Sequence, residues 1–273
     1  FNRTTERTKA FIDEHGSEGE FVACSALHEL KAALKAPRTV LVMVKAGEAV
    51  DGVLDELLPM LSKGDVIIDG GNSHFLDTQR REERARTKGI HFIGMGISGG
   101  EEGALNGPSL MPGGDRETVE GLMPLLQKMA ADDGSGGKCV AYLGPAGAGH
   151  FVKMVHNGIE YGLMQILAES YDVLRTIAAM SPEELSSAYA SWNEGPLQSF
   201  LLEITAKIFK TIDPETGNPR IDIVRDSAGQ KGTGKWTTEA AMNLGVAVPT
   251  ITAAVDARIL SSDPVSRRKL STE

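Results

Sequence analysis

Apolar and polar positions change rhythm along this chain, and the changes predict its elements. Arg38-Thr-Val-Leu-Val-Met-Val44 and Asp65-Val-Ile-Ile-Asp69 are continuous apolar runs without alternation, the mark of strands buried on both faces. Ile90 to Gly94 and Cys139 to Leu143 read as further strands, and Glu20 to Ser25 as a short one. Between them lie stretches of helical periodicity: Thr4 to Glu14, Ala26 to Lys35, Glu48 to Leu61, a charged run to about Lys88, and Arg116 to Ala131. Strands alternating with helices through short turns predict a doubly wound α/β sheet, in which ligands bind at the carboxyl ends of strands. Asn2-Arg3-Thr4, Val44-Lys45-Ala46-Gly47, Gly71-Asn72-Ser73 and Ser98-Gly99-Gly100 fall at such ends.

From Gly147 onward only helical patterns follow, so a boundary near 146 is expected, with an α/β domain over 1–146 and an all-α domain over 147–273. The first helix opens at Gly147-Ala-Gly-His and could run to about Met180. Lys153, His156, Asn157 and Glu160 stand at i, i+3, i+4 and i+7 and share one face of it. Phe151, Val152, Val155, Ile159, Leu163 and Ile166 occupy the remaining surface and are expected to pack. A solvated charged face is the ordinary use of such a pattern. The sharper reading is an amine and a carboxylate acting as an acid–base pair, with His156 and Asn157 on a substrate. Ser181-Pro182 caps a second helix, Leu197 to Ile212 forms a third, and 236–244 and 248–262 are helical beyond the turn-rich Asp213 to Pro219.

Composition narrows the partners. The 273 residues are 41% hydrophobic, enough for one large core or two smaller ones, and carry a formal charge of −9. That charge argues against nucleic acid or a membrane surface as a general partner. Cys24 and Cys139 form neither a CxxC nor a metal-ligand spacing and read as reduced thiols of a cytosol-like compartment. No apolar run reaches the length of a membrane span and no metal-ligand cluster is visible. The abrupt start at Phe1 looks like the end of a strand whose beginning is cut away.

Arg3 carries the first chemical signal. The second strand of a dinucleotide-binding sheet ordinarily ends in an acid that accepts from the ribose 2′-hydroxyl, whereas an arginine there meets a 2′-phosphate, so Asn2-Arg3-Thr4 favours NADP over NAD. The glycine fingerprint that belongs with it would lie ahead of Phe1. Gly94-Met-Gly96-Ile-Ser-Gly99 has the GxGxxG spacing but is taken as a decoy, because 101–108 reads as a loop rather than a helix. Gly229-Gln-Lys-Gly-Thr-Gly234-Lys235 imitates a phosphate loop, yet Trp236 replaces the Mg²⁺-binding hydroxyl. As a basic loop whose Lys231 and Thr233 meet a phosphate it remains attractive. Ser98-Gly99-Gly100 lets backbone N–H groups approach a ligand, although a tight turn is the commoner use of Gly-Gly. Arg258 alone reads as solvated.

With these residues assembled, the sequence resembles the 6-phosphogluconate dehydrogenase family of the β-hydroxyacid dehydrogenase superfamily. Five blocks carry the resemblance: Ile68 to Ser73, Ser98 to Ala104, Gly107 to Gly114, His150 to Tyr161 and Arg225 to Trp236. It implies a truncated Rossmann-like doubly wound sheet followed by an all-helical domain, and NADP-dependent oxidative decarboxylation of 6-phospho-D-gluconate to ribulose 5-phosphate, CO₂ and NADPH in the pentose phosphate pathway. Carried over by position, it implies Asn2, Arg3 and Thr4 at the adenosine 2′-phosphate, and Val44, Lys45 and Ala46 beside the cofactor. Asn72 would touch both cofactor and substrate. Ser98, Gly99, Gly100, His156 and Asn157 would hold the carboxylate and hydroxyls, and Tyr161, Lys231 and Arg258 the substrate phosphate. Lys153 corresponds to the general base and Glu160 to the general acid; no metal is implied.

By that resemblance the family's first strand, its fingerprint turn, most of its large C-terminal helical domain and the tail that reaches into a partner subunit are expected to lie outside this sequence, so that 147–273 is only the start of the all-α domain. The full-length protein is therefore expected to be an active homodimer, cytoplasmic or plastid-borne, and this chain alone to bind NADP poorly and turn over little. Another β-hydroxyacid dehydrogenase, acting on a short acid such as hydroxyisobutyrate, would also use Lys153 and Asn157, but would leave Lys231, Thr233 and Arg258 without a task. A non-catalytic NADP- or phosphosugar-binding module would not need both Lys153 and Glu160.

Overall fold

Every side chain of Val66-Ile-Ile-Asp69 is buried, and a four-stranded sheet forms around it. The computed structural model describes residues 1–271, which divide into two units, 1–154 and 155 onward. In the first, α1 (Thr5–His15) and α2 (Leu27–Ala33) precede β1 (Thr39–Val42), α3 (Glu48–Leu57), β2 (Val66–Asp69), α4 (Phe75–Arg86) and β3 (His91–Ser98). Next come α5 (Gly100–Asn106), β4 (Ser109–Gly113) and α6 (Arg116–Met129). The sheet order is β1-β2-β3-β4; the first three strands are parallel and β4 is antiparallel to β3.

Alternation along the strands sends neighbours to opposite faces. Val40, Val42, Ile67 and Phe92 pack with Val50, Leu54 and Leu57 of α3 on one face, while Ile68, Ile93 and Met95 pack with Val119 and Leu126 of α6 on the other. Gly94 and Gly96 continue the Phe92 face toward the carboxyl end of β3, where they leave the sheet without side chains. The first turns of α7 (Ala148–Thr176) lie in that gap.

In the second unit α7 continues and is followed by α8 (Pro182–Trp192), α9 (Phe200–Lys210), α10 (Arg220–Ile223), α11 (Thr233–Leu244), α12 (Pro249–Ser261) and α13 (Pro264–Leu270). Ser181 and Glu184 close a reciprocal capping box at the start of α8, as Ser-Pro-Glu-Glu predicts. Leu185, Tyr189, Leu202, Ala206 and Phe209 form the core between α8 and α9, with Tyr171 of α7 stacked on Phe209.

Four expectations are corrected. Residues 20–25 form no strand; Phe21 instead meets Phe11 of α1 edge-on at 5.4 Å, and a strand needs a neighbour to supply its ladder. Cys139 to Leu143 contributes one bridge to Leu110, because the Val140 N–H turns back to the Lys138 carbonyl at 2.7 Å. The stretch 101–108, expected as a loop, is helical through Asn106 as part of α5; only Gly103 of that helix is buried, so no apolar periodicity announces it. Finally, Val152, Ile159, Leu163 and Ile166 of α7 are exposed rather than packed.

Candidate active site

Strand register sets the geometry in the first unit. Val42, Asp69 and Gly94 are aligned across β1, β2 and β3, so the turns that follow these strands are neighbours. A Cβ at Gly71 would stand 3.0 Å from the Val44 carbonyl, which shows how closely the turns after β1 and β2 approach. Gly47 has φ +91°, a left-handed conformation that suits glycine, and opens α3 without a side-chain cap. Gly99 (φ +137°) and Gly100 (φ +61°) make a similar corner after Ser98.

Lys153 is 7% exposed, and its stem occupies the place a side chain on Gly96 would take. One turn earlier, His150 bonds Thr78 Oγ1 through Nδ1 at 2.6 Å, and a Cβ on Gly94 would lie 2.9 Å from that nitrogen. Burial lowers the His150 pKa against the opposing pull of the Asp69 charge, so its neutral form is favoured. Gly149 of α7 is wedged against Gly94 and Gly113, which lets the helix backbone approach the sheet. Of the glycines Gly94, Gly96 and Gly99, the first two thus seat α7, while Gly99 turns the chain into α5 against Gly103 and Pro108.

The turn after β2 is held from below. Asp69 accepts from the Gly71 N–H at 3.1 Å and from Ser73 Oγ at 2.6 Å, leaving Asn72 exposed between them. Val44 and Lys45 are exposed and Ala46 is half-buried beside that turn. Asn2, Arg3 and Thr4 are exposed at the start of α1, where Asn2 Oδ1 accepts from the Thr4 N–H at 2.9 Å. That bond lies just ahead of α1 and does not tie these three residues to the turns after β1 and β2.

In the second unit His156 Nδ1 lies 3.4 Å from the Glu160 carboxylate and 3.4 Å from Asn157 Oδ1. The Arg258 guanidinium stacks 3.9 Å from the centre of the Tyr161 ring and donates to the Gly229 carbonyl at 2.6 Å. Gly234 also sits against the Tyr161 ring, so Tyr161, Arg258 and the loop carrying Lys231 are brought together. Lys231 is exposed. Thr233 is buried as the first residue of α11, its carbonyl accepting from Thr237 Oγ1 at 2.9 Å. The helix starts three residues before Trp236, because Gly232 takes up the left-handed entry at φ +98°.

Residues 1–144 match the NAD binding domain of 6-phosphogluconate dehydrogenase, and residues 149–273 match the C-terminal domain of the same enzyme. The chain belongs to the 6-phosphogluconate dehydrogenase family. It is 53% identical to the decarboxylating 6-phosphogluconate dehydrogenase of Synechococcus elongatus over 99% of its own length and 58% of that protein. The NADP(+)-dependent, decarboxylating enzyme of Bacillus subtilis is 49% identical over 99% of the chain and 57% of the relative. Among solved structures, Plasmodium falciparum 6-phosphogluconate dehydrogenase, described in its apo form and with NADP+ or 6-phosphogluconate, superposes with a TM-score of 0.94. The two are 42% identical, over 100% of this chain and 58% of that one. A Mycobacterium tuberculosis 3-hydroxyisobutyrate dehydrogenase shares the fold at a TM-score of 0.67 and 19% identity, over 93% of this chain and 83% of that one. The chain therefore spans rather more than half the length of the 6-phosphogluconate dehydrogenases it matches.

Sequence reasoning overlooked Asp51, Asp69 and Arg81. The signal was present: Thr78, Arg81 and Ala85 share the buried stripe of α4, and an arginine on such a stripe demands buried acceptors.

Proposed function

We propose that the protein to which this chain belongs oxidises and decarboxylates 6-phospho-D-gluconate with NADP, giving D-ribulose 5-phosphate, CO₂ and NADPH. The observation that carries this reading is Lys153, buried where β3 offers only glycine, on the same continuous helix as Glu160 two turns further on. The names of the relatives support it.

A dinucleotide fits what the chain offers: closely approaching strand-end turns at Val44-Lys45-Ala46 and Gly71-Asn72, and Arg3 in place of an acid. When bound, NADP supplies the acceptor for the hydride from C3. In the proposed mechanism Lys153 takes the 3-hydroxyl proton. Its amine must be neutral at that moment to act as a base. The same group returns a proton to the 3-keto oxygen as CO₂ leaves. Glu160 then protonates the carbon that becomes C1 of the ketose, with His156 beside it to orient the carboxyl group. Ser98, Gly99, Gly100, His156 and Asn157 bind the carboxylate and hydroxyls. Tyr161, Lys231, Thr233 and Arg258 receive the phosphate, Arg258 also holding the Lys231 loop through the Gly229 carbonyl.

The reading includes a homodimer and neither nucleic acid nor membrane as partner. The exposed apolar row of α7 supports burial of that face against more protein. The test is NADPH formation from 6-phosphogluconate with one CO₂ released per NADPH. NADPH without CO₂, or a preference for hydroxyisobutyrate, contradicts it. Lys231→Ala should raise KM for 6-phosphogluconate and spare an unphosphorylated analogue; an equal loss on both counts against the phosphate assignment.

A further inference from the structure

Arg81 has no exposed surface, yet it projects from the most charged helix of the sheet unit. Its guanidinium is shared between two strand ends. On one side Nε and Nη2 form a two-pronged pair with the Asp51 carboxylate of α3 at 3.0 and 2.9 Å, and Nη2 also donates to the Gly47 carbonyl at 2.9 Å. On the other side Nη1 donates to Ser73 Oγ at 3.2 Å and lies 3.7 Å from the Asp69 carboxylate. Asp69 in turn holds the Gly71 N–H, and Gly47 O also accepts from the Val50 N–H at 3.0 Å. A single bonded path thus runs from the corner after β1, through Arg81, to the turn after β2.

We propose that Arg81 is a positioning residue that fixes the spacing of the 44–47 and 70–73 turns and so the opening available to a dinucleotide. The second half of this statement rests on the function proposed above; the first half does not. Stability alone does not call for such a group, since replacing a buried ion pair by apolar side chains of similar volume is often neutral or stabilising. A planar fork with donors on three nitrogens can bridge two turns, whereas a lysine ammonium, a compact point charge, cannot replace both arms. The opposite end of the sheet provides a control. Arg38 pairs with buried Asp65 at 3.3 Å, at the amino ends of β1 and β2 and away from both turns.

The experiment compares Arg81→Lys with Arg38→Lys, reading amide hydrogen exchange and NADP affinity by calorimetry. Arg81→Lys is expected to accelerate exchange at Gly71 and Val50 together, and to weaken NADP binding about tenfold or more, the scale of losing a charge-assisted bridge. Arg38→Lys should leave both readouts unchanged even where it lowers the melting temperature as far. Should Arg81→Lys fail to fold, Ser73→Ala and Asp51→Asn each weaken one arm, and each should loosen the turn on the far side as well as its own. Exchange that rises at one turn only, or equal NADP loss in Arg38→Lys, overturns the proposal. If both turns loosen while NADP affinity holds, the link to the cofactor is overturned. A parent protein that shows the coupled exchange but binds no NADP refutes the proposed function and leaves the clamp standing.

Discussion

Lys153 keeps its position because Gly96 gives it room. A methyl group there would collide with the lysine stem, backed by the Gly149 carbonyl. Gly96→Ala should therefore cost about 1–3 kcal/mol of stability, the usual penalty of overpacking, and lower kcat more than KM; urea titration and steady-state kinetics check both. Unchanged kcat would separate the glycine seat from the chemistry. His150 provides a second test at this scale. Its folded pKa is lowered by burial, so protonation favours the unfolded chain. Stability should be fully present above the ordinary histidine range of about 6.5 and fall as pH drops below it. In His150→Gln that part of the pH dependence should vanish, as urea midpoints between mildly acidic and neutral pH would record.

At the scale of elements, α3 and α4 are joined by Asp51 with Arg80 and Arg81, and Arg81 above all holds the Asp51 carboxyl well below the usual carboxylate range. A depressed carboxylate pKa contributes stability that is present above the unfolded value of about 3.9 and is lost as pH falls further. Asp51→Asn should destabilise the protein at neutral pH and flatten its acid limb, measurable by thermal melts at graded pH. The elements differ in how plainly the sequence announces them. β2 is evident because four consecutive buried side chains leave no other reading, and α8 because Ser181, Pro182 and Glu184 form a full start signal. Helix α5 is not, since its contacts are made by Gly103 and its polar side chains face solvent. The candidate site divides in the same way. Spacing on one helix singles out Lys153, His156, Asn157 and Glu160 as candidates. The Asp51–Arg81–Asp69 path joins residues distant in sequence, and only strand register brings them together.

For the molecule as a whole, α7 presents Ile159, Leu163 and Ile166 as one exposed apolar row. The proposed homodimer predicts that Ile159→Asp combined with Ile166→Asp lowers the sedimenting mass toward that of a single chain while helix content by circular dichroism is kept. An unchanged mass would remove α7 from the subunit contact. The central claim, that Lys153 and Glu160 serve successive proton transfers on one sugar acid, is tested most directly by a single-turnover experiment on Glu160→Gln, following NADPH and ribulose 5-phosphate in the same sample. The account predicts prompt NADPH with the ketose delayed behind it, whereas NADPH and ketose that slow together, or ketose that appears without delay, would contradict it.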